Sequence, residues 1–472
     1  MCRAQNPILW GKPSYGGANH KGTIFSYNTS TGKDTDLHNF GSSADGQVPY
    51  GSLIRASNGL LYGMTVLGGV NPGGTIFSYN ISTGAEIVLH DFYSFPDDGF
   101  NPYGSLLQAK DNLLYGMTSL GGSAANSSGT IFSYNISTGI ETVLHNFGSD
   151  TDGQNPYGSL IQTNDSLLYG LTPFGGVNKG VNGVYGDGTL FSYNIFTGVE
   201  SVLHYFGSDT DGQNPYGSLL QVNDSLLYGT TAWGGTNDEG TIFSYNITTG
   251  TEFVLHSFGG TNGLRPLGAL ILADNGLLYG MTALGGTYDS GTIFSYNITT
   301  SAETDLHDFA GGDTDGKYAY SSLIQASNRV LYGMTCYGGA NDSGIIFSYN
   351  ISTGKETDLH NFTGADGACP FGDLLEIDSP FTGINQLAAN SNQLSIYPNP
   401  TSGQFTIKTM GNQNGYLVEI YNLLGEEIYQ SVNKSPSGDL GIIDLNTQPA
   451  GMYFVSLKSD EGIEVKKVVV TR

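Results

Sequence analysis

Basic residues are scarce: 17 Lys and Arg stand against 42 Asp and Glu in 472 residues, a net charge of −25. Such a field repels phosphate backbones and excludes nucleic acid as a partner. Charged residues of both signs reach only 12%, about half the usual share. Cysteine occurs three times, as Cys2, Cys336 and Cys369, too few for a disulfide framework. No apolar run approaches the roughly 18 residues of a membrane-spanning helix, so no transmembrane segment is expected. The opening Met1-Cys2-Arg3-Ala4-Gln5-Asn6 lacks the hydrophobic stretch of a complete signal peptide. Residues 1–7 read instead as the remnant around a signal-peptide cleavage site.

What the chain does have is glycine, 70 residues, together with 12% aromatics. That mixture builds many short strands joined by tight turns around a filled core. The phrase Gly-Thr-Ile-Phe-Ser-Tyr-Asn begins at Gly22, Gly74, Gly129, Gly188 (with Leu190), Gly240, Gly291 and Gly344 (with Ile345), in steps of 51 to 59 residues. A period near 50 points to propeller blades. Each period holds four short β-rich segments, here called A to D; in the third copy they are 158–162, 167–171, 189–194 and 200–206. Asn-Ile-Ser-Thr-Gly (80–84, 135–139) turns C into D, with glycine placed for positive φ. The D–A connection reads Asp-Gly-Gln-Asn-Pro-Tyr-Gly (152–158, 211–217), and the B–C connection carries Gly-Gly.

The two ends complement each other. The chain enters the repeats at a B segment, Ile8-Leu9-Trp10-Gly11, and leaves them on an unpartnered A segment, Gly372-Asp373-Leu374-Leu375-Glu376. Together they complete a seventh blade and leave no open sheet edge. The expected fold is all-β: a seven-bladed β-propeller over residues 8–377, closed by its N- and C-terminal strands. A polar linker follows at 378–392, and then about seven alternating strands over 393–472 suit an Ig-like β-sandwich.

Leu-Tyr-Gly-Met-Thr-x-x-Gly-Gly followed by Phe-Ser-Tyr-Asn-x-x-Thr-Gly-x-Glu resembles the grammar of kelch propellers, and more closely the GloVer-type tandem-repeat proteins, a bacterial exported family with no established activity. The C-terminal region is similar to the type A sorting domain of type IX secretion. The residues carrying that likeness are Tyr397-Pro398-Asn399-Pro400-Thr401-Ser402-Gly403, Ile420-Tyr421-Asn422-Leu423-Leu424-Gly425, Pro449-Ala450-Gly451-Met452-Tyr453-Phe454-Val455 and the terminal Lys466-Lys467-Val468-Val469-Val470. The resemblance implies a Gram-negative source, type IX machinery as the partner of residues 393–472, and a protein secreted or attached at the cell surface.

Seven histidines recur in Leu-His-x-Phe at one place in strand D. Equivalent outer-strand positions diverge around a ring, so a structural role rather than one shared metal is expected. Asp150-Thr151-Asp152-Gly153 and Asp209-Thr210-Asp211-Gly212 look toward calcium, but twelve residues on from Asp150 stands Ile161 where an EF-hand needs Glu. No cofactor is therefore expected, with calcium the one ion the acidic loops leave open. The residue before each Gly-Gly varies, from leucine to Phe174 and Trp233, and the longest B–C loop (177–187) contains Tyr185. Aromatic faces beside Asp150, Asp152, Asp209 and Asp211 would suit a glycan or a cationic peptide. Cys336 and Cys369 lie in connections that emerge on one face, so an exported protein has reason to join them. No catalytic motif occurs. The expected function is a non-catalytic binding or scaffold propeller, and the alternative is a secreted polysaccharide hydrolase or lyase acting through acids at the channel mouth.

Overall fold

Strand C of each repeat, such as Thr75–Asn80, is buried along nearly its whole length. Alternation is therefore not hydrophobic against polar; instead the two faces serve two different neighbours. Phe77 and Tyr79 pack with Ile24, Phe40 and Trp10 on one side, while Ile76 packs with Leu106, Leu114 and Phe132 on the other. The computed structural model describes residues 7–377 and 394–471, apart from segments 42–43, 94–97, 124–126, 149–150, 179–185, 208–210, 399–400, 410–415, 422–426, 434–438, 450 and 460–461. Of the remnant expected at 1–7, residues 1–6 lie outside the described residues, as does the linker expected at 378–392.

Within residues 7–377 the described strands form seven four-stranded antiparallel sheets, each in the order A-B-C-D. In the second blade these are Ile54–Arg55, Leu61–Thr65, Thr75–Asn80 and Ala85–Asp91. The first blade takes strand A from the far end: Leu375–Ile377 pairs with Ile8–Gly11, matching Ile8 to Ile377, Leu9 to Glu376 and Trp10 to Leu375. The same Ile8–Gly11 strand pairs on its other edge with Thr23–Asn28.

Neighbouring blades are held by one repeated contact. The phenylalanine of strand C meets, edge to face, the phenylalanine that ends strand D of the preceding blade. Centroid distances run from 5.0 Å (Phe258–Phe294) to 5.4 Å, the latter for Phe362–Phe25, which joins the last blade to the first. Every one of these rings is fully buried. Each contributes about 1.5–3 kcal/mol by burial and roughly 0.5–1.5 kcal/mol more as an edge-to-face pair. The glycine of strand B makes room for the ring: a Cβ on Gly63 would lie 2.6 Å from Phe77.

Strand A is shorter than its sequence suggests. Only two residues pair regularly in most blades, for example Ile161–Gln162. The two residues before them turn toward the axis, where the N–H groups of Ser52, Ser105, Ser159 and Ser322 bond to side-chain oxygens of the next blade.

A second seam lies in the D–A connections. Asn101, Asn155 and Asn214 adopt positive φ (58°, 53° and 53°), a region asparagine tolerates. Their side-chain amides donate to the carbonyls of Val66, Ser119 and Pro173 in the preceding blade. At the corresponding place before the first blade stands Cys369, and the counterpart of Val66 in the seventh blade is Cys336. The two are joined as a disulfide, 33 residues apart in sequence. Closing a loop of that length removes about 3–4 kcal/mol of chain entropy from the unfolded state, and it does so at the junction between the ends of the ring.

The C-terminal unit, residues 378–472, clusters separately. Its described strands form two sheets, Leu394–Tyr397, Gln404–Thr409 and Asp439–Asp444 in one, and Glu427–Asn433, Tyr416–Tyr421, Gly451–Ser459 and Gly462–Val470 in the other. That division, three strands facing four, is Ig-like. Phe405, Ile407, Ile420, Ile443, Val455 and Val468 lie in the core between them, and the Tyr453 hydroxyl donates to the Pro449 carbonyl at 2.6 Å.

Candidate functional site

The residue preceding each Gly-Gly does not plug the core. It sits on a short ribbon where the B–C loop pairs with the incoming D–A loop, Trp233 opposite Gln213 and Phe174 opposite Gln154. Tyr15 and Tyr337 are 43% and 41% exposed, and Phe174 and Trp233 are half-buried. Phe174 and Trp233 converge on one ring, Tyr216, with centroids 6.1 Å and 6.0 Å away. Arg265 lies over the Trp233 face at 5.0 Å. The expected pair of neighbouring aromatics is therefore brought together.

The expected acids are not brought to it. Asp152 and Asp211 carry their carboxylates to His145 and His204, at 3.5 Å and 3.1 Å, because these loops leave strand D at the blade seams. Tyr185, Asp150 and Asp209 lie outside the described residues.

Sequence reading missed the aromatic ring at the axis. Tyr50, Tyr103, Tyr157, Tyr216, Tyr320 and Phe371 occupy one place in successive D–A connections and, with Trp233, line a cavity of about 540 Å³. Phe371 stacks on Tyr50 (4.0 Å) and on Tyr320 (5.2 Å), and the series continues through Tyr103 to Tyr157 (4.6 Å) and Tyr216 (5.5 Å). Leu267 interrupts it in the sixth blade. Among the described residues, the five tyrosine hydroxyls meet no hydrogen-bond partner. Burial raises these phenols above their ordinary value, Tyr216 up to about 12, so they stay protonated and able to donate. The signal is in the sequence, as a Tyr-Gly-Ser in four repeats with an aromatic at the same place in two others, but it reads as turn chemistry.

Beneath the rings runs a second circle. Ser52, Ser105 and Ser159 donate backbone N–H to the hydroxyls of Ser105, Ser159 and Ser218, each at 2.8 Å. Ala269 and Ser322 continue it to Ser322 and Asp373, and the Asp373 N–H returns to the Ser52 hydroxyl at 2.8 Å.

The repeated histidines take the expected structural role. Each packs edge-on against the phenylalanine two residues later, as His90 does on Phe92 at 4.8 Å, and six of the seven lie within 3.5 Å of an aspartate in the connection that follows. His90 reaches Asp98 at 3.2 Å, and Glu141 of the next blade completes the set; His204, Asp211 and Glu252 match it, as do His307, Asp315 and Glu356. Ligand atoms in each set lie within 4.8 Å of one another, close enough to hold a cation. The blade with Asn262 shows that a neutral amide also serves: it bridges His256 and Glu303 at 3.2 Å and 3.1 Å.

These seams titrate. Burial pushes Glu86, Glu141, Glu200 and Glu252 up to about 7, and Glu356, also beside Asp358, up to about 8. In an unfolded chain they titrate near 4.3. Between those values the folded state holds more protons, so stability falls as pH rises through the window. Burial lowers His38 and His256, which opposes the trend below the ordinary histidine value of about 6.5. The melting temperature is expected to be several degrees higher at pH 6 than at pH 8. A flat calorimetric profile over that range counts against the assignment.

Repeated four-stranded blades around an aromatic cavity, carried with a separate two-sheet unit, define the class: a tandem-repeat β-propeller with a C-terminal sandwich. Residues 1–182 and 178–397 match the Gloeobacter/Verrucomicrobia repeat, and the chain belongs to that family. Residues 395–471 match the secretion system C-terminal sorting domain. The protein is secreted or displayed at the cell surface, and its C-terminal unit engages the type IX machinery. Similar solved structures include a candidate 6-phosphogluconolactonase of Bacteroides fragilis NCTC 9343, 16% identical with TM-score 0.53, covering 80% of this chain and 100% of that one. Another, from Bacteroides uniformis ATCC 8492, is 15% identical with TM-score 0.52, covering 79% and 100%. At that identity they show the fold alone. No curated protein matches the chain. Among the described residues, no helix is long and apolar enough to cross a membrane.

Proposed function

We propose that this is a non-catalytic exported binding protein whose propeller captures a hydroxylated ring, the end of a glycan, at the mouth of its channel. The observation that carries the reading is the circle of aromatic residues whose phenol hydroxyls have no partner among the described residues. Aromatic faces suit the apolar side of a sugar ring, and unpaired hydroxyls suit its edge. The cavity volume falls within the range of small-ligand sites. A polysaccharide hydrolase would need two carboxyl groups across the scissile bond, and the described lining holds one, Asp373. A glycan array followed by calorimetry on the best ligand tests the proposal. Trp233→Ala and Tyr157→Phe should each weaken binding at least tenfold, about 1.4 kcal/mol, with melting unchanged. The first removes a stacking face, and the second removes only a hydroxyl. Isotherms identical to wild type for both variants would overturn the site.

A further inference from the structure

Asp373 breaks the serine circle in a way the fold does not require. Five blades place serine at this position and the sixth places Ala269. A serine hydroxyl accepts the preceding blade's N–H at 2.8–2.9 Å, and Asp373 Oδ1 does the same for Ser322 at 2.6 Å. The carboxylate thus adds a negative charge where a hydroxyl already suffices. It is half-buried and follows Phe371, whose ring is sandwiched between Tyr50 and Tyr320. Among the described residues lining the cavity it is the single charged one.

Burial raises the Asp373 carboxyl, while the Ser322 N–H and the hydroxyls of Ser322 and Ser52 hold it down; no cation is among these influences. A carboxylate offers about four acceptor sites, and these three donors leave room for one more. A desolvated charge without a counter-ion is unfavourable, and an ammonium entering the cavity supplies one at the Asp373 carboxylate. The net charge of −25 favours the approach of a cation over that of an anion.

We infer that the channel mouth selects an amino sugar with a free ammonium group, which donates to the Asp373 carboxylate while its ring lies in the cavity against the aromatic residues that line it. This rests on the glycan-binding reading and narrows it to a cationic sugar. Carbohydrates bearing an acetylated or absent amine lose the ion pair and keep the aromatic contacts.

The test compares a glucosamine trimer with an N-acetylglucosamine trimer by calorimetry on the full chain, using wild type and Asp373→Ser. Serine is the residue five other blades carry, so the variant restores the repeat's own circle and should melt as wild type does. Wild type should bind the free-amine trimer at least tenfold tighter, the preference should shrink as salt is raised, and Asp373→Ser should erase it. Equal binding of both trimers by wild type, or a preference that survives Asp373→Ser, overturns the inference while leaving glycan binding intact. Binding of neither trimer overturns the inference, and Trp233→Ala against the array's own ligand then decides separately whether the broader reading stands.

Discussion

Deleting residues 7–12 is expected to abolish cooperative folding of the whole propeller, not merely to loosen one blade. Ile8–Gly11 is an interior strand, bonded on one edge to Thr23–Asn28 and on the other to Leu375–Ile377. Its loss strands the last segment and removes Leu9 and Trp10, which are buried in the two seams on either side of the first blade. Truncating one large core side chain costs about 2–5 kcal/mol, and two such losses plus seven ladder pairs rival a domain's total stability of about 5–15 kcal/mol. Leu9→Asp makes the same test without shortening the chain, by placing a charge between strands. The protein has two tryptophans, Trp10 buried and Trp233 half-buried, so in a Trp233→Phe background the emission of Trp10 reports the closing blade alone. Both variants should show red-shifted emission and no cooperative thermal transition. A truncated protein that melts within a few degrees of wild type would mean that the first blade does not hold the ring.

Deleting residues 393–472 should block export almost completely and leave the propeller in the periplasm of a host with type IX machinery. The address resides in a folded unit, so its core matters as much as its surface. Val468 lies between the sheets with Ile420 and Val455, and Val468→Asp buries a charge without a partner, which costs several kcal/mol. That variant should be retained like the deletion. Trp233→Ala, which touches only the propeller, should be exported normally. Immunoblots of periplasm, cell surface and medium separate these outcomes, and normal export of the truncated chain would overturn the assignment.

The two tests probe features of different legibility. The repeat spacing, the Asn-Ile-Ser-Thr-Gly turns and the complementary ends at Ile8 and Leu375 are local patterns, and from them blades of strands A to D and the way the ends meet could be written down. The histidines could be counted but not partnered, since the acid that completes each set belongs to the next blade: Glu141 for His90, 51 residues away, and Asp34 for His360, at the other end of the ring. The same limit applied to Asp152 and Asp211: Asp-Gly reads as a turn in any setting, and only the seam geometry shows that their carboxylates turn toward His145 and His204. Strand A was drawn too long because Gly-Ser carries no sign that its N–H groups bond across the axis.

What the sequence by itself determined was therefore what contacts within one repeat set: the positions of strands B to D, the turn types, the apolar content of each blade and the separate C-terminal unit. The tertiary structure alone decided what arises between repeats. Four copies of Tyr-Gly-Ser and the related triplets at 267–269, 320–322 and 371–373 are unremarkable turns along the chain, and they become a lined cavity only when ring closure carries Tyr50 to within 4.0 Å of Phe371, 321 residues later. The reason is geometric. Local hydrogen bonding and hydrophobic pattern fix each blade, whereas convergence on an axis depends on how the Phe–Phe seams orient one blade against the next.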